Sequence, residues 1–254
     1  MEIQNYEIYN AGMAKTLMDK IWWLDKIDEA VDTIIDFGCA DASIMGLIET
    51  IQPNRFQYIG IDNNSEMLRM AKINAPKGRF YSNFEDMAAE EAEETSHSII
   101  LFNSVIHELE TYCYDSELLI LKNQIARFKS KYIAIRDMHS FPSNDVDIRS
   151  TLDGIFTSNY VREWISYWKS TSNVHDDWAD CFTEFFLKHT YKENWAREKD
   201  ETYLWNWSNV SLSEYKVICE SNFNIPYLSN RIKEHFGIDW SKVYTHKKVL
   251  LKIA

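Results

Sequence analysis

The sequence predicts an α/β protein with a doubly wound, mostly parallel sheet and a helical insert after the fifth strand. Short apolar runs alternate with helical patterns along the first 138 residues, which gives five strand–helix units. These runs are apolar at successive positions rather than at every second one, as in strands buried on both faces. The chain of 254 residues is also long enough to bury a large core without a disulfide or a metal.

Composition and charge exclude several classes of protein. Hydrophobic residues make up 45% of the chain and charged residues 26%, unlike disordered, collagen-like or membrane proteins. The apolar stretches are far shorter than the roughly 20 residues that a membrane-spanning helix needs, and no signal peptide is visible, so we expect a cytoplasmic protein. The net charge of −12 disfavours general binding to nucleic acid. Four widely spaced cysteines predict neither a disulfide framework nor a zinc ribbon.

Three strands and three helices are predicted in the first 82 residues. Apolar residues that recur every three or four positions predict helices over 9–27, 44–51 and 65–73. Short runs rich in β-branched and aromatic residues predict strands over 33–37, 58–62 and 79–82. The third helix has an N-cap signal in Asn63-Asn64-Ser65, which supports its predicted start.

The second half of the chain predicts more strands and an insert. An acidic helix or loop over 90–95 precedes elements predicted as a strand over 98–102, a helix over 116–128 and a strand over 132–135. Strand-like runs then vanish over 139–212, which holds six of the nine tryptophans and has aromatic rows at helical spacing. The final elements are predicted as a helix over 213–221, an extended segment over 223–225 and a strand over 249–253. We therefore expect a core of 1–138 and 213–254 and a helical, substrate-covering insert of 139–212.

Two segments that follow strands suggest a nucleoside site. In an open parallel sheet, ligands bind beyond the carboxyl ends of the strands. The first strand is followed by Gly38-Cys39-Ala40-Asp41-Ala42, a turn of small residues that lets the backbone approach a ligand. Asp62 ends the second strand, where a carboxylate can accept hydrogen bonds from both ribose hydroxyls.

These segments carry a resemblance to a known family. The sequence 34–41 (IIDFGCAD) resembles motif I of the class I S-adenosylmethionine-dependent methyltransferases, and 59–68 (IGIDNNSEML) resembles their motif II. Segments 81–84, 99–109 and 244–251 look like their adenine turn, motif IV and last strand. The resemblance implies a Rossmann-like, seven-stranded sheet, S-adenosylmethionine as cofactor and methyl transfer as activity, and it leaves the insert unmatched.

The resemblance also implies which residues bind the cofactor. Those expected near its methionine part are Asp36, Gly38, Cys39 and Ala40. Those expected near its ribose, adenine and methyl group are Asp62, Asn63, Met67, Asn83, Phe84, Asn103 and Ser104. The second and third glycines of motif I are replaced by Ala40 and Ala42, and a methyl group at a left-handed turn costs about 1 kcal/mol. A methyltransferase-like interaction module without activity is therefore an alternative.

Polar residues after the fourth and fifth strands are candidates for chemistry. His107 and His139 are the candidate catalytic residues, although a sulfonium-activated methyl group does not require a base. Glu108, Arg136 and Asp137 are expected to contact the substrate, with pairing between surface neighbours as the alternative.

No metal site is expected from the sequence. The segment His175-Asp176-Asp177 with Asp180 and Glu184 matches no defined ligand spacing and predicts a solvated acidic face.

The aromatic insert and the acidic charge favour a small organic molecule as substrate. Flat apolar walls suit such a molecule, but they also suit bases stacked from RNA, so an RNA such as tRNA remains an alternative, followed by a protein. The negative net charge makes nucleic acid the less favoured partner. No membrane partner is expected, and the sequence leaves the oligomeric state open.

Overall fold

The fold is built on a seven-stranded sheet in the order β3-β2-β1-β4-β5-β7-β6. The computed structural model describes residues 14–91, 97–112, 122, 125–126, 128–139, 166, 178–204, 213–237, 239–241 and 243–254. The first five strands pair in parallel, whereas β7 runs antiparallel to both β5 and β6. The predicted fold class is confirmed in this sheet.

The strand bounds follow the predicted runs closely for the first five strands. The strands are β1 Thr33–Phe37, β2 Gln57–Ile61, β3 Arg79–Tyr81, β4 Ser98–Asn103, β5 Tyr132–Met138, β6 Tyr215–Phe223 and β7 His246–Ile253. All residues of β1, β4 and β5 are buried, as their continuous apolar character predicts.

Helices flank the sheet on both faces. The described helices are α1 Leu17–Lys20, α2 Ser43–Ile51, α3 Ser65–Asn74, α4 Phe84–Glu91, α5 Ile106–Tyr112, α6 Trp178–His189, α7 Trp195–Glu198 and α8 Pro226–Phe236. Residues 9–13 of the helix predicted over 9–27 lie outside the described residues. The structure ends α1 at Lys20, whose carbonyl accepts from the Trp23 indole N–H, and tight turns follow. Most of the helix predicted over 116–128 lies outside the described residues. Within the described part of the chain, no helix is long and apolar enough to span a membrane.

The segment after the insert corrects the sequence prediction. Residues 213–221 were predicted as a helix, but most of them belong to the edge strand β6, and a helix begins only at Pro226. Most side chains of β6 are exposed, so the strand lacks the apolar pattern that would have identified it. Its conformation depends instead on antiparallel pairing with β7, which includes an ion pair of 2.5 Å between Lys247 and Glu220.

Two apolar clusters sandwich the sheet. Ile34 packs on one face with residues such as Trp23 and Ile48, while Ile35 packs on the other with Ile106. Adjacent strand residues therefore face opposite layers, which is the period of a strand. This double cover leaves the carboxyl ends of the parallel strands as the place where a cavity forms.

The described part of the insert is helical. Phe182, Phe185, Phe186 and His189 lie on α6, which packs against α8. The predicted aromatic row of 160, 164, 167 and 168 and the segment 175–177 lie outside the described residues. The prediction of a solvated acidic face is wrong for Asp180 and Glu184, which are buried. Glu184 forms a buried ion pair of 2.8 Å with Lys188 one helical turn away, which compensates its charge.

Candidate functional site

A cavity of about 400 Å³ lies at the carboxyl ends of β1, β2, β4 and β5. Many of the residues predicted from the sequence line it, namely Gly38, Ala40, Asp62, Asn63, Met67, Asn103, Ser104, His107, Glu108 and Arg136. The outer wall comes from the insert and the last helix, with residues such as Leu187, Glu198, Glu201, Tyr203 and Leu228. The cavity thus has a wall from the sheet and a wall from the segments that cover it.

The turn after β1 has three residues in the left-handed region. Gly38, Ala40 and Ala42 have φ values of 67°, 46° and 54°. A Cβ atom at Gly38 would lie 2.7 Å from Cγ2 of Val105, so glycine is required there by both space and backbone conformation. Ala40 and Ala42 adopt the strained conformation that the sequence pattern implies, and their neighbours hold it in place.

Asp62 ties this turn to the loop after β2. One carboxylate oxygen accepts the main-chain N–H of Ala40 at 2.9 Å, and the other accepts the N–H of Asn64 at 2.8 Å. The Asn64 side chain in turn caps α3 by accepting the N–H groups of Glu66 and Met67. Asp62 also lines the cavity, so its carboxylate lies beside the space that a ligand would occupy.

A buried polar group lies beside this turn. Burial raises the pKa of Asp36 to about 7, against the effect of the Tyr58 hydroxyl, which donates to it at 2.5 Å.

Asp36 does not line the cavity, but Lys20 from α1 does. Burial, with the nearby charge of Arg136, lowers the pKa of Lys20 to about 8. Lys20 belongs to the helix predicted before the first strand, and in the structure it is the last residue of α1.

Arg136 and Asn103 present unsatisfied donors. Arg136 is 1% exposed, and its Nε donates to Asp19 at 2.6 Å and its Nη1 to Ser104 at 2.9 Å. Its Nη2 and the Nδ2 of Asn103 are buried without a hydrogen-bond partner among the described residues. Unpaired buried donors are costly, and both side chains line the cavity, so they favour a ligand that carries oxygen acceptors.

Asp137 supports His107 from behind. It is fully buried and does not line the cavity. Its carboxylate accepts the N–H of Ile106 at 2.8 Å and bonds Nδ1 of His107 at 2.8 Å, which sets the ring orientation. Burial alone would lower the pKa of His107, but Asp137, Glu108 and Glu201 raise it to about 9. Without a ligand, His107 therefore carries a proton at neutral pH.

Four further residues predicted for the site lie away from the cavity. The side chains of Cys39 and His139 are buried, and the N–H of His139 donates to the carbonyl of Thr245. Asn83 is exposed and accepts the N–H of Asp86 at 2.9 Å, while Phe84 stacks on Phe37 with ring centres 5.5 Å apart. Each of the four residues is therefore buried in the fold or contacts neighbouring residues of the fold, and none lines the cavity.

Some residues that line the cavity come from distant segments and were not indicated by the sequence patterns. Glu198, Glu201 and Tyr203 line the cavity and lie in or after α7, far along the chain from the motifs. The Tyr203 ring contacts the His107 ring edge-on at 5.6 Å between centres. The closely spaced polar run from 198 to 203 was the available signal, but its position over the sheet depends on the fold.

Comparison with solved structures decides the fold family. A structure of the plantazolicin methyltransferase BamL, with a triazolic desmethylPZN analogue and S-adenosylhomocysteine, matches with a TM-score of 0.52 and 10% identity, over 98% of this chain and 88% of that one. The PH0226 protein of Pyrococcus horikoshii OT3 matches with a TM-score of 0.50 and 11% identity, over 99% and 93% of the two chains. The chain has the class I S-adenosylmethionine-dependent methyltransferase fold. Its strand order and its antiparallel β7 are typical of that methyltransferase fold.

Sequence comparison adds a methyltransferase relative. The chain is 26% identical over 139 residues to the ribosomal protein L11 methyltransferase of Alteromonas mediterranea, a match that covers 52% of this chain. The match covers 46% of the related protein, so the chain spans less than half of that protein's length. No family model matches the sequence.

Proposed function

We propose that this chain transfers a methyl group from S-adenosylmethionine to a small organic molecule. The observation that carries the proposal is one cavity that is lined by the turn after β1, Asp62 and the end of β4. His107 and Glu108 of α5 and residues of the insert line the rest of the same cavity. A methyl donor and an acceptor bound together in this cavity would lie next to each other, which is what methyl transfer requires.

The residues present fit the cofactor. The buried Nδ2 of Asn103 and Nη2 of Arg136, which have no hydrogen-bond partner in the part of the chain that the structure describes, offer donors for its polar groups. Gly38 lines the cavity and presents main chain without a side chain. Asp62 would accept from the ribose hydroxyls, Asn63 and Met67 would contact the adenine, and Asn103 and Ser104 would line the space for the methyl group. The cofactor supplies a methyl group that is already activated by the sulfonium, so the protein mainly aligns the reactants and excludes water.

The covering wall suits a small acceptor. The cavity volume of about 400 Å³ falls in the range of about 300–1,000 Å³ that small-molecule sites have. Leu187, Tyr191 and Tyr203 line it with apolar surface. Glu108, Glu198 and Glu201 also line it, and together with the net charge of −12 they repel a polyanion such as RNA.

A protein acceptor is the second candidate. It is favoured by the sequence match to the ribosomal protein L11 methyltransferase, whose name gives a protein substrate. The cavity volume of about 400 Å³ favours the small molecule, because a folded protein would have to insert a single side chain beside the lining residues of the insert.

Labelled cofactor tests the proposal. The protein is incubated with methyl-labelled S-adenosylmethionine and separate fractions of metabolites, RNA and protein, and label is followed by chromatography. We expect label in a small molecule with wild type and with Glu66→Ala, whose exposed side chain pairs with Arg69. We expect none with Asp62→Ala. Label confined to RNA or protein would refute the small-molecule acceptor, and the absence of label in every fraction would count against methyl transfer.

A further inference from the structure

We propose that His107, Glu108 and Glu201 bind a divalent transition-metal ion, such as Mn²⁺ or Zn²⁺, in the acceptor half of the cavity. The three side chains line the same cavity and come from two separate parts of the chain. His107 and Glu108 lie in the first turn of α5, whereas Glu201 follows α7 in the insert. The sequence alone could not indicate this set, because its third ligand is distant from the other two.

The ligand atoms lie close enough to share one ion. One ligand atom from each of the three residues lies within 4.8 Å of the other two. Bonds of about 2.0–2.2 Å to nitrogen and oxygen place neighbouring ligands of one ion about 3.0–3.6 Å apart. Binding of an ion would therefore draw the three side chains together by up to about 1–2 Å.

A fourth residue provides an independent indication of a metal. Asp137 is fully buried outside the cavity and is held by the main-chain N–H groups of Ile106 and His107. From there it bonds Nδ1 of His107 at 2.8 Å and leaves Nε2 of the ring as the nitrogen that can reach an ion. A buried carboxylate behind a ligating histidine is the usual support in metal sites, since it sets the tautomer and the ring orientation.

The charge and the ligand types fit a divalent ion. Three carboxylates, from Glu108, Asp137 and Glu201, surround one imidazole in a site that is largely buried. A divalent cation would add positive charge to this set of carboxylates, and its binding would displace the proton that His107 carries. One nitrogen and two carboxylate ligands suit Mn²⁺ or Zn²⁺, whereas Mg²⁺ and Ca²⁺ prefer oxygen alone.

The site would have two consequences for the cavity. Three protein ligands leave coordination positions for water or for an oxygen of the acceptor. On the basis of the proposed function, the ion would orient an acceptor that carries an oxygen ligand. The ion would also join Glu201 of the insert to His107 and Glu108 of α5. This link would hold the outer wall of the cavity in place.

Binding of the metal alone tests the site. Chelator-treated protein, without cofactor or acceptor, is titrated with Mn²⁺ by electron paramagnetic resonance and with Zn²⁺ by calorimetry. We expect one site per chain in wild type and an affinity at least tenfold weaker in Glu201→Gln and in Glu108→Gln. Asp137→Asn, which alters only the support of His107, should weaken binding by about 10- to 100-fold. Glu66→Gln on the surface of α3 should bind as wild type does.

The outcomes separate this proposal from the proposed function. Circular dichroism and binding of S-adenosylhomocysteine to each variant report whether the fold and the cofactor side remain intact. Saturable metal binding that depends on Glu201 supports the site even if no cofactor binds. No saturable binding in wild type, or equal affinity in wild type and Glu201→Gln, would overturn it even if methyl transfer is found.

Discussion

Replacing Ala42 by glycine tests the strained turn after β1. Ala42 is fully buried and adopts a left-handed conformation with φ of 54°. That conformation costs a non-glycine residue about 1–2 kcal/mol, which Ala42→Gly relieves. Against this gain stand the lost burial of one methyl group, about 0.8 kcal/mol, and the greater entropy of the unfolded chain, about 0.4–1 kcal/mol. We therefore expect the free energy of unfolding to change by less than about 1 kcal/mol.

Ala71→Gly is the matched control. Ala71 is also fully buried, but it lies inside α3 with ordinary helical conformation. Glycine there loses the same methyl group and adds a helix penalty of about 1 kcal/mol without relieving strain. Urea unfolding followed by circular dichroism should show Ala42→Gly to be more stable than Ala71→Gly by about 1–2 kcal/mol. Equal destabilisation of the two variants would refute the left-handed turn at position 42.

Further predictions concern the neighbours of this turn. Gly38→Ala should destabilise the protein by about 2–4 kcal/mol, because the new Cβ meets Val105 at a residue with positive φ. Gly46→Ala, where the Cβ has open space within α2, should stabilise it by up to about 1 kcal/mol in the same urea assay. The difference in free energy of unfolding between Lys20→Met and wild type should favour the variant less as the pH rises, because burial lowers the pKa of Lys20 from 10.5 to about 8. Between these values the unfolded chain keeps a proton that the native protein has lost, so wild-type stability rises with pH. Relative to Lys20→Met, wild type should gain about 3 kcal/mol from pH 8 to pH 10.5, and a constant difference would contradict the buried lysine.

The predictable part of the fold is the part that local sequence determines. Strands β1 to β5 were recognisable because burial on both faces leaves a continuous apolar run, as in Ile34 and Ile35. Strand β6 was not recognisable, because it lies at the edge with exposed side chains and depends on hydrogen bonds to β7. The pairing partner of an edge strand is remote in sequence, so its local pattern carries little information.

The candidate site divides in the same way. Gly38 and Asp62 were predictable, since each directly follows a strand whose end faces the cavity. Arg136 and Asp137 are neighbours on β5, yet only Arg136 lines the cavity, because successive strand residues point to opposite faces. Glu201 joins the site only through the path of the insert, which no local pattern describes.

Binding of S-adenosylhomocysteine, measured by calorimetry, tests the central claim most directly. We predict one binding site in wild type and in Glu66→Ala. We expect an affinity lower by at least about 100-fold in Asp62→Ala, since two hydrogen bonds to a charged group are each worth about 1.5–3 kcal/mol. The absence of binding to wild type, or equal affinity in wild type and Asp62→Ala, would contradict a cofactor site at the carboxyl ends of β1 and β2.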